Sequence, residues 1–216
     1  MAEKVVHIDL EATIGAGKST FLEKIIPFLK KYLPEGTSIE TYPEPIDVWK
    51  SFGSEKINLL ELMYKKENFS FAFQLVAALS KQSQLSKMSS LSIVERSILA
   101  QKFIFVPLLR ESGKISQLER EILDDLVDVL LPLHGLKPDL ILYLKCDVET
   151  AYSRIQNRGR EEETAVTKEY LESIGKKYDH WMSHETDIMI YTIDVSEEVN
   201  YDRIAKNLAV LIANFK

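Results

Sequence analysis

One segment constrains this chain more than any other: the apolar run Val5 to Leu10 passes through Glu11 into Ala12-Thr13-Ile14-Gly15-Ala16-Gly17-Lys18-Ser19-Thr20, after which apolar residues recur at helical spacing. A buried strand that turns through glycines into a helix is a fixed structural unit. Its turn has the spacing of a phosphate-cradling loop. Glycines let successive backbone amides face one anion, and the start of the helix adds partial positive charge. In such a loop Lys18 reaches the terminal phosphates and Ser19 ligates Mg²⁺, while Gly15, Ala16, Gly17 and Thr20 complete the cradle. The pattern G-x-x-x-x-G-K-[ST] is broken at its first position by Ala12, which fits the turn if its φ stays negative.

Strands and helices alternate through the rest of the chain. A second strand, Ser38 to Tyr42, ends at Pro43-Glu44-Pro45; a third, Leu91 to Val94, delivers Glu95-Arg96-Ser97; others cover Asp139 to Lys145 and about 188 to 193. Helical patterns cover about 55–65, 69–88, 97–112, 115–134 and 147–157, then a run to Met182 after the charged stretch Arg158 to Glu163, and an end helix. Pro27 should kink the first helix or break it early. Short apolar strands separated by helices imply an α/β fold, a five-stranded parallel sheet with helices on both faces. Ligands then bind beyond the carboxyl ends of the strands, where these motifs fall. At 216 residues and 45% hydrophobic composition, one domain over 1–216 is expected.

The acidic excess, 33 Asp and Glu against 27 Lys and Arg, would repel a polyanion, so nucleic acid is not the expected partner. No run approaches the roughly 20 apolar residues that span a bilayer. A strand begins almost at the amino terminus, leaving no room for a cleavable leader. The lone Cys146 fits a small buried residue in a reducing compartment. A cytoplasmic protein is expected. His180 and His184 have the i,i+4 spacing of a metal-binding pair, but Trp181 rules out H-E-x-x-H and no third ligand is singled out, so two surface histidines are the expected reading.

Five pieces in one order and spacing make the chain resemble the deoxyribonucleoside kinase family: the phosphate loop (12–20), Glu44-Pro45-Ile46 with Trp49, Phe73-Gln74, Glu95-Arg96-Ser97, and the lid stretch Arg154 to Glu163 (about 154–164). The likeness runs from about residue 5 to 195. It implies a P-loop kinase fold, ATP with Mg²⁺, a deoxynucleoside acceptor and a homodimer. By resemblance, Glu44 accepts the 5′-hydroxyl proton, Arg96 holds that hydroxyl and carboxylate together, and Glu95 lies near Mg²⁺. Arg154, Arg158 and Arg160 resemble lid arginines that fold over the transferring phosphate. Glu163 and Tyr64 correspond to residues that bond the sugar 3′-hydroxyl, Gln74 to the amide that pairs with the base edge, and Phe105 to the ring on the base face. Tyr191 to Val195 resembles the segment beside adenine.

Seven residues beyond Gln74 and five beyond Arg96, Lys81 and Gln101 occupy the positions of a base-reading Arg and Asp in deoxycytidine and deoxyguanosine kinases. A point charge and an amide make a more adaptable reader than a guanidinium fork with a carboxylate. The expectation is a relaxed preference, with deoxycytidine or a purine deoxynucleoside ahead of thymidine. Three rivals stand beside this reading, one of them a catalytically impaired structural homologue suggested by Ala12. A nucleoside monophosphate kinase such as thymidylate kinase normally has Asp-Arg where this chain has Glu95-Arg96, and a guanine-nucleotide switch needs an N-K-x-D signature that is absent.

Overall fold

The computed structural model describes residues 5–65, 67–85, 91–132 and 137–215. Its strands are β1 (Val6–Ala12), β2 (Ile39–Tyr42), β3 (Leu91–Glu95), β4 (Leu140–Lys145) and β5 (Met189–Asp194), in the spatial order β2-β3-β1-β4-β5. Every pairing is parallel. β1 is the central strand, with Val6 opposite Leu91 and Ile8 opposite Leu140. It is buried along its whole length. Alternation sends Val6, Ile8, Leu10 and Ala12 into one core and leaves the polar His7, Asp9 and Glu11 for the other face.

Helices cover both faces of the sheet. On one, α1 (Lys18–Tyr32) and α9 (Tyr201–Ala213) bury Ile25, Leu29, Leu208 and Ile212 against β1, β3 and β4. On the other lie α4 (Ser70–Leu85), α6 (Gln117–Leu130), α7 (Val148–Arg158) and α8 (Lys168–His184). There Ile141 and Tyr143 pack on Ile155, Ile174 and Tyr178, and Val94 packs on Ala78 and Val127.

Local departures from the sequence expectations have physical reasons. α1 does not break at Pro27, which lies on its exposed face, where the Glu23 carbonyl left without a donor can turn to water. Before the third helix a short α2 (Ile46–Lys50) follows Pro45, and a turn closed by the Phe52–Ile57 bridge delays α3 until Leu59–Lys65. The expected helix over 97–112 becomes a π-helical stretch, Gln101–Phe105, followed by α5 (Val106–Glu111). Pro107 has no N–H to offer the Phe103 carbonyl, so the regular ladder cannot run through this turn. The ends of the helices read to 88 and 134 lie outside the described residues.

Candidate active site

The carboxyl ends of β1, β2 and β3 open into a cavity of about 440 Å³. Its floor is the loop between β1 and α1. Ala12 closes β1 fully buried and at negative φ, so a glycine is not required there. Gly15 and Gly17 do need their freedom, at φ +81° and +91°. A Cβ at Gly15 would lie 2.3 Å from the Ala151 carbonyl oxygen, which shows how closely this loop sits on α7. Lys18 is buried at the start of α1; burial and the nearby Arg96 hold its ammonium below the ordinary lysine value, against the pull of Glu44, Glu95 and Glu11. Ser19 Oγ donates to Glu95 Oε1 at 2.9 Å, joining loop and β3. A hydroxyl and a carboxylate side by side suit a hard cation such as Mg²⁺, which takes few protein ligands and completes its shell with phosphate oxygens and water.

Glu44, just past β2, and Arg96, just past β3, meet across the cavity, with Arg96 Nε 3.2 Å from Glu44 Oε1. Arg96 Nη2 also donates to the Ala12 carbonyl at 3.3 Å, and its guanidinium lies over the Phe105 ring, 4.6 Å from the centroid. Burial pushes the Glu44 carboxyl up, but Arg96, Lys18, Lys81 and Arg160 together outweigh it and leave the pKa lowered. The result is an ionised carboxylate pointed into a largely enclosed space.

The deeper wall is apolar. Trp49, Met63, Phe73 and Ala77 form one cluster, with Trp49 and Phe73 edge to face at 5.3 Å and the indole N–H donating to Ser80 Oγ at 2.9 Å. Set into this wall, Gln101 Nε2 donates to Gln74 Oε1 at 3.0 Å and to the Gln74 carbonyl at 3.1 Å. The π-helical stretch brings both Gln101 and Phe105 to the cavity. Lys81 lines it too but does not pair with Gln101. Its buried ammonium donates to the Glu95 carbonyl, and burial pulls its pKa down to about 8. The lysine stem thus carries its charge to the end of β3, apart from the Gln74–Gln101 amides, while both Lys81 and Gln101 stay on the cavity lining.

After α7, Gly159 turns the chain and a single helical turn, Glu161–Glu163, brings Glu163 back toward the cavity. Arg158 Nη2 and Arg160 Nη1 lie 2.5 and 3.5 Å from the Glu163 carboxylate, and all three line the cavity. Tyr64 lines it beside them, its phenol pKa raised by burial and by the neighbouring Tyr170, Glu163 and Glu44. Arg154 does not join this group. One turn earlier on α7, its Nη1 donates to the Ala16 carbonyl at 3.0 Å and its Nη2 to the Val195 carbonyl at 2.8 Å, so it braces the phosphate loop against the end of β5.

A second cleft lies on the far side of the loop, lined by Lys24, Arg154, Val195, Glu197, Glu198 and Tyr201. Gly15, Gly17, Thr20 and Arg158 border both spaces. Two ligands could therefore meet across the loop. Sequence reasoning missed Tyr170 and Met63 among the lining residues. Tyr170 had a usable signal, standing in the first turn of α8 directly after the lid. The histidine pair is confined to the exposed end of α8, with rings 4.2 Å apart. Among the described residues no group of three or more His, Cys, Asp and Glu could hold a metal ion.

Comparison with known proteins agrees with this geometry. The chain is 33% identical to deoxycytidine kinase 1 of Xenopus laevis over 90% of its own length and 84% of that protein. It is 32% identical to deoxycytidine kinase of Homo sapiens over 90% of its length and 85% of that protein. To mitochondrial thymidine kinase 2 of Homo sapiens it is 32% identical, over 83% of its length and 65% of that protein. A family model described as deoxynucleoside kinase matches residues 8–215, a span that takes in both clefts, the acid–arginine pair and the lid, and the chain belongs to that family.

Proposed function

We propose that this chain moves the γ-phosphate of ATP to the 5′-hydroxyl of a deoxynucleoside, releasing ADP and the deoxynucleoside monophosphate. One observation carries the reading: the ionised Glu44 and Arg96, 3.2 Å apart, share a nucleoside-sized cavity with the phosphate loop and its Lys18. Glu44 takes the hydroxyl proton as the new O–P bond forms and the β,γ bridge breaks. Arg96 holds the acceptor oxygen near Glu44, and Lys18, Arg158 and Arg160 face the charge spread over the phosphoryl oxygens. Mg²⁺, held by Ser19 and Glu95, would neutralise charge on the β- and γ-phosphate oxygens. The base lies against Trp49, Phe73 and Phe105 with its edge at Gln74 and Gln101, and the sugar 3′-hydroxyl falls to Tyr64 and Glu163. The triphosphate approaches from the second cleft.

Since Lys81 is turned to Glu95, the base edge meets two neutral amides in an apolar wall. A relaxed base preference follows, but the reason for placing thymidine last is gone. We also propose that the protein works in the cytoplasm as a homodimer, without nucleic acid or membrane as partner. The lone cysteine supports a reducing compartment, and the acidic charge supports the absence of a nucleic-acid partner. Among the described residues no helix is long and apolar enough to cross a membrane. A coupled assay with ATP and each of the four deoxynucleosides or their monophosphates tests the transfer reading. Conversion of more than one to its monophosphate is expected; phosphorylation only of monophosphates, or of nothing, overturns it.

A further inference from the structure

The central strand holds a buried acid that the reaction above does not use. Glu11 is fully buried. Its Oε1 accepts both the backbone N–H and the hydroxyl of Ser97, each at 2.7 Å, and its Oε2 accepts the Tyr178 hydroxyl at 2.7 Å. The residue between Ser97 and the end of β3 is Arg96. At φ +59°, Arg96 is one of two non-glycine residues with positive φ among those described. A left-handed backbone is unfavourable for a side chain with a Cβ and persists only where the surroundings over-determine it. Here both flanks of the turn are fixed from β1: the Arg96 N–H donates to the Leu10 carbonyl at 3.0 Å, and Glu11 grips Ser97. The turn sends the arginine toward Glu44, the Ala12 carbonyl and the Phe105 ring.

Resting on the proposed transfer reaction, we propose that Glu11 is a positioning residue: by holding the Ser97 N–H and hydroxyl it fixes the left-handed turn that aims Arg96 at Glu44 and the acceptor hydroxyl. Tyr178 ties the same carboxylate to α8, the helix that follows the lid. Burial, and then the nearby Asp9, push the Glu11 carboxyl above its ordinary value, so its place in the fold depends on shape and accepted hydrogen bonds. Glutamine preserves both. Its amide oxygen can accept the two Ser97 bonds, and its NH₂ can donate to the Tyr178 oxygen.

The test is a double-mutant cycle with Arg96, read as kcat and as KM for each substrate. Glu11→Ala should lower kcat about 10²-fold, the scale of a misplaced reacting group, while KM for ATP stays within about twofold. In an Arg96→Gln background the same change should cost less than about threefold, since its effect runs through a guanidinium already removed. Glu11→Gln should remain within about fivefold of the unaltered protein. Equal losses in both backgrounds, or a Gln variant as impaired as the Ala variant, overturn the proposal. If Glu11→Ala does not fold, Ser97→Ala carries the same cycle, and an unchanged kcat for it in the unaltered background is equally fatal. Failure of the transfer reading is separately visible, because the unaltered protein would then phosphorylate no deoxynucleoside.

Discussion

Glu44 shows how a single residue is tuned by opposing terms. Burial alone would raise its pKa, and a raised value would leave a protonated acid unable to accept a proton near neutrality; the surrounding Arg96, Lys18, Lys81 and Arg160 reverse the sign. Because the value is lowered below 4.5, the acid limb of kcat should lie below the ordinary glutamate range. The stability that this ion pairing contributes is complete above the unfolded value and is lost as pH falls through the lower, folded one. A pH–rate profile whose acid limb sits above the ordinary glutamate range would exclude Glu44 as the group responsible. Glu44→Gln keeps the shape and loses the proton acceptor, so kcat should drop by about 10² to 10⁴ with little change in nucleoside KM. Lys18→Ala should cost on the order of 10² or more, measured on folded protein. At this scale the sequence was an uneven guide. Glu44, Arg96 and Glu95 were singled out by resemblance and Ser19 by the spacing of the phosphate loop, and each lies at or just past the end of a strand or glycine turn whose position is legible. Lys81 could not be placed, because helical period fixes which face of α4 a lysine leaves from but not where a four-carbon stem delivers its charge.

The element that most needs explaining is α7 with the turn after it. The family resemblance put Arg154, Arg158 and Arg160 together as one lid, and i,i+4 periodicity does place the first two on one helix face. What periodicity cannot show is that this face is divided between two neighbours, the loop–β5 seam for Arg154 and Glu163 for the other two. The three substitutions should therefore separate. Arg158→Ala or Arg160→Ala removes a partly exposed ion pair while leaving Glu163 another partner, and should shift ligand-free stability by no more than about 1 kcal/mol. Turnover should fall all the same. Arg154→Ala removes two hydrogen bonds from a charged donor to backbone carbonyls and should cost about 1 to 3 kcal/mol, together with a raised KM for ATP. Thermal melts of the three variants without ligand check the order, and an Arg154 variant as stable as the original would mean that the brace does not hold the loop. The alternation of five strands with helices was readable for the same reason that the lid was only half readable. Burial of an apolar face is written in composition, whereas the choice between two polar neighbours, like the π turn before Pro107, depends on tertiary context.

Taken whole, the molecule places its two clefts on either side of one loop, at the end of the central strand. Its outer surface carries a further feature: Leu118, Ile122 and Val129 leave one side of α6 exposed, with Leu79 exposed on the neighbouring α4. If this face joins two copies, Leu118→Glu with Val129→Glu should convert a dimer to a monomer in sedimentation, with the fold unchanged. A dimer that survives both changes would put the contact elsewhere. The sheet order also has a consequence for how the chain comes to be folded. β1 is made first, yet its two partners begin at Leu91 and Leu140, and the helix against which Gly15 rests begins at Val148. During synthesis the innermost strand must wait for β3 before its first edge is paired, and for β4, well past the middle of the chain, before its second. Closing such long loops is slow, and the waiting intermediate exposes an apolar strand on both edges. Nucleotide binding should accordingly be among the last properties that the nascent protein acquires.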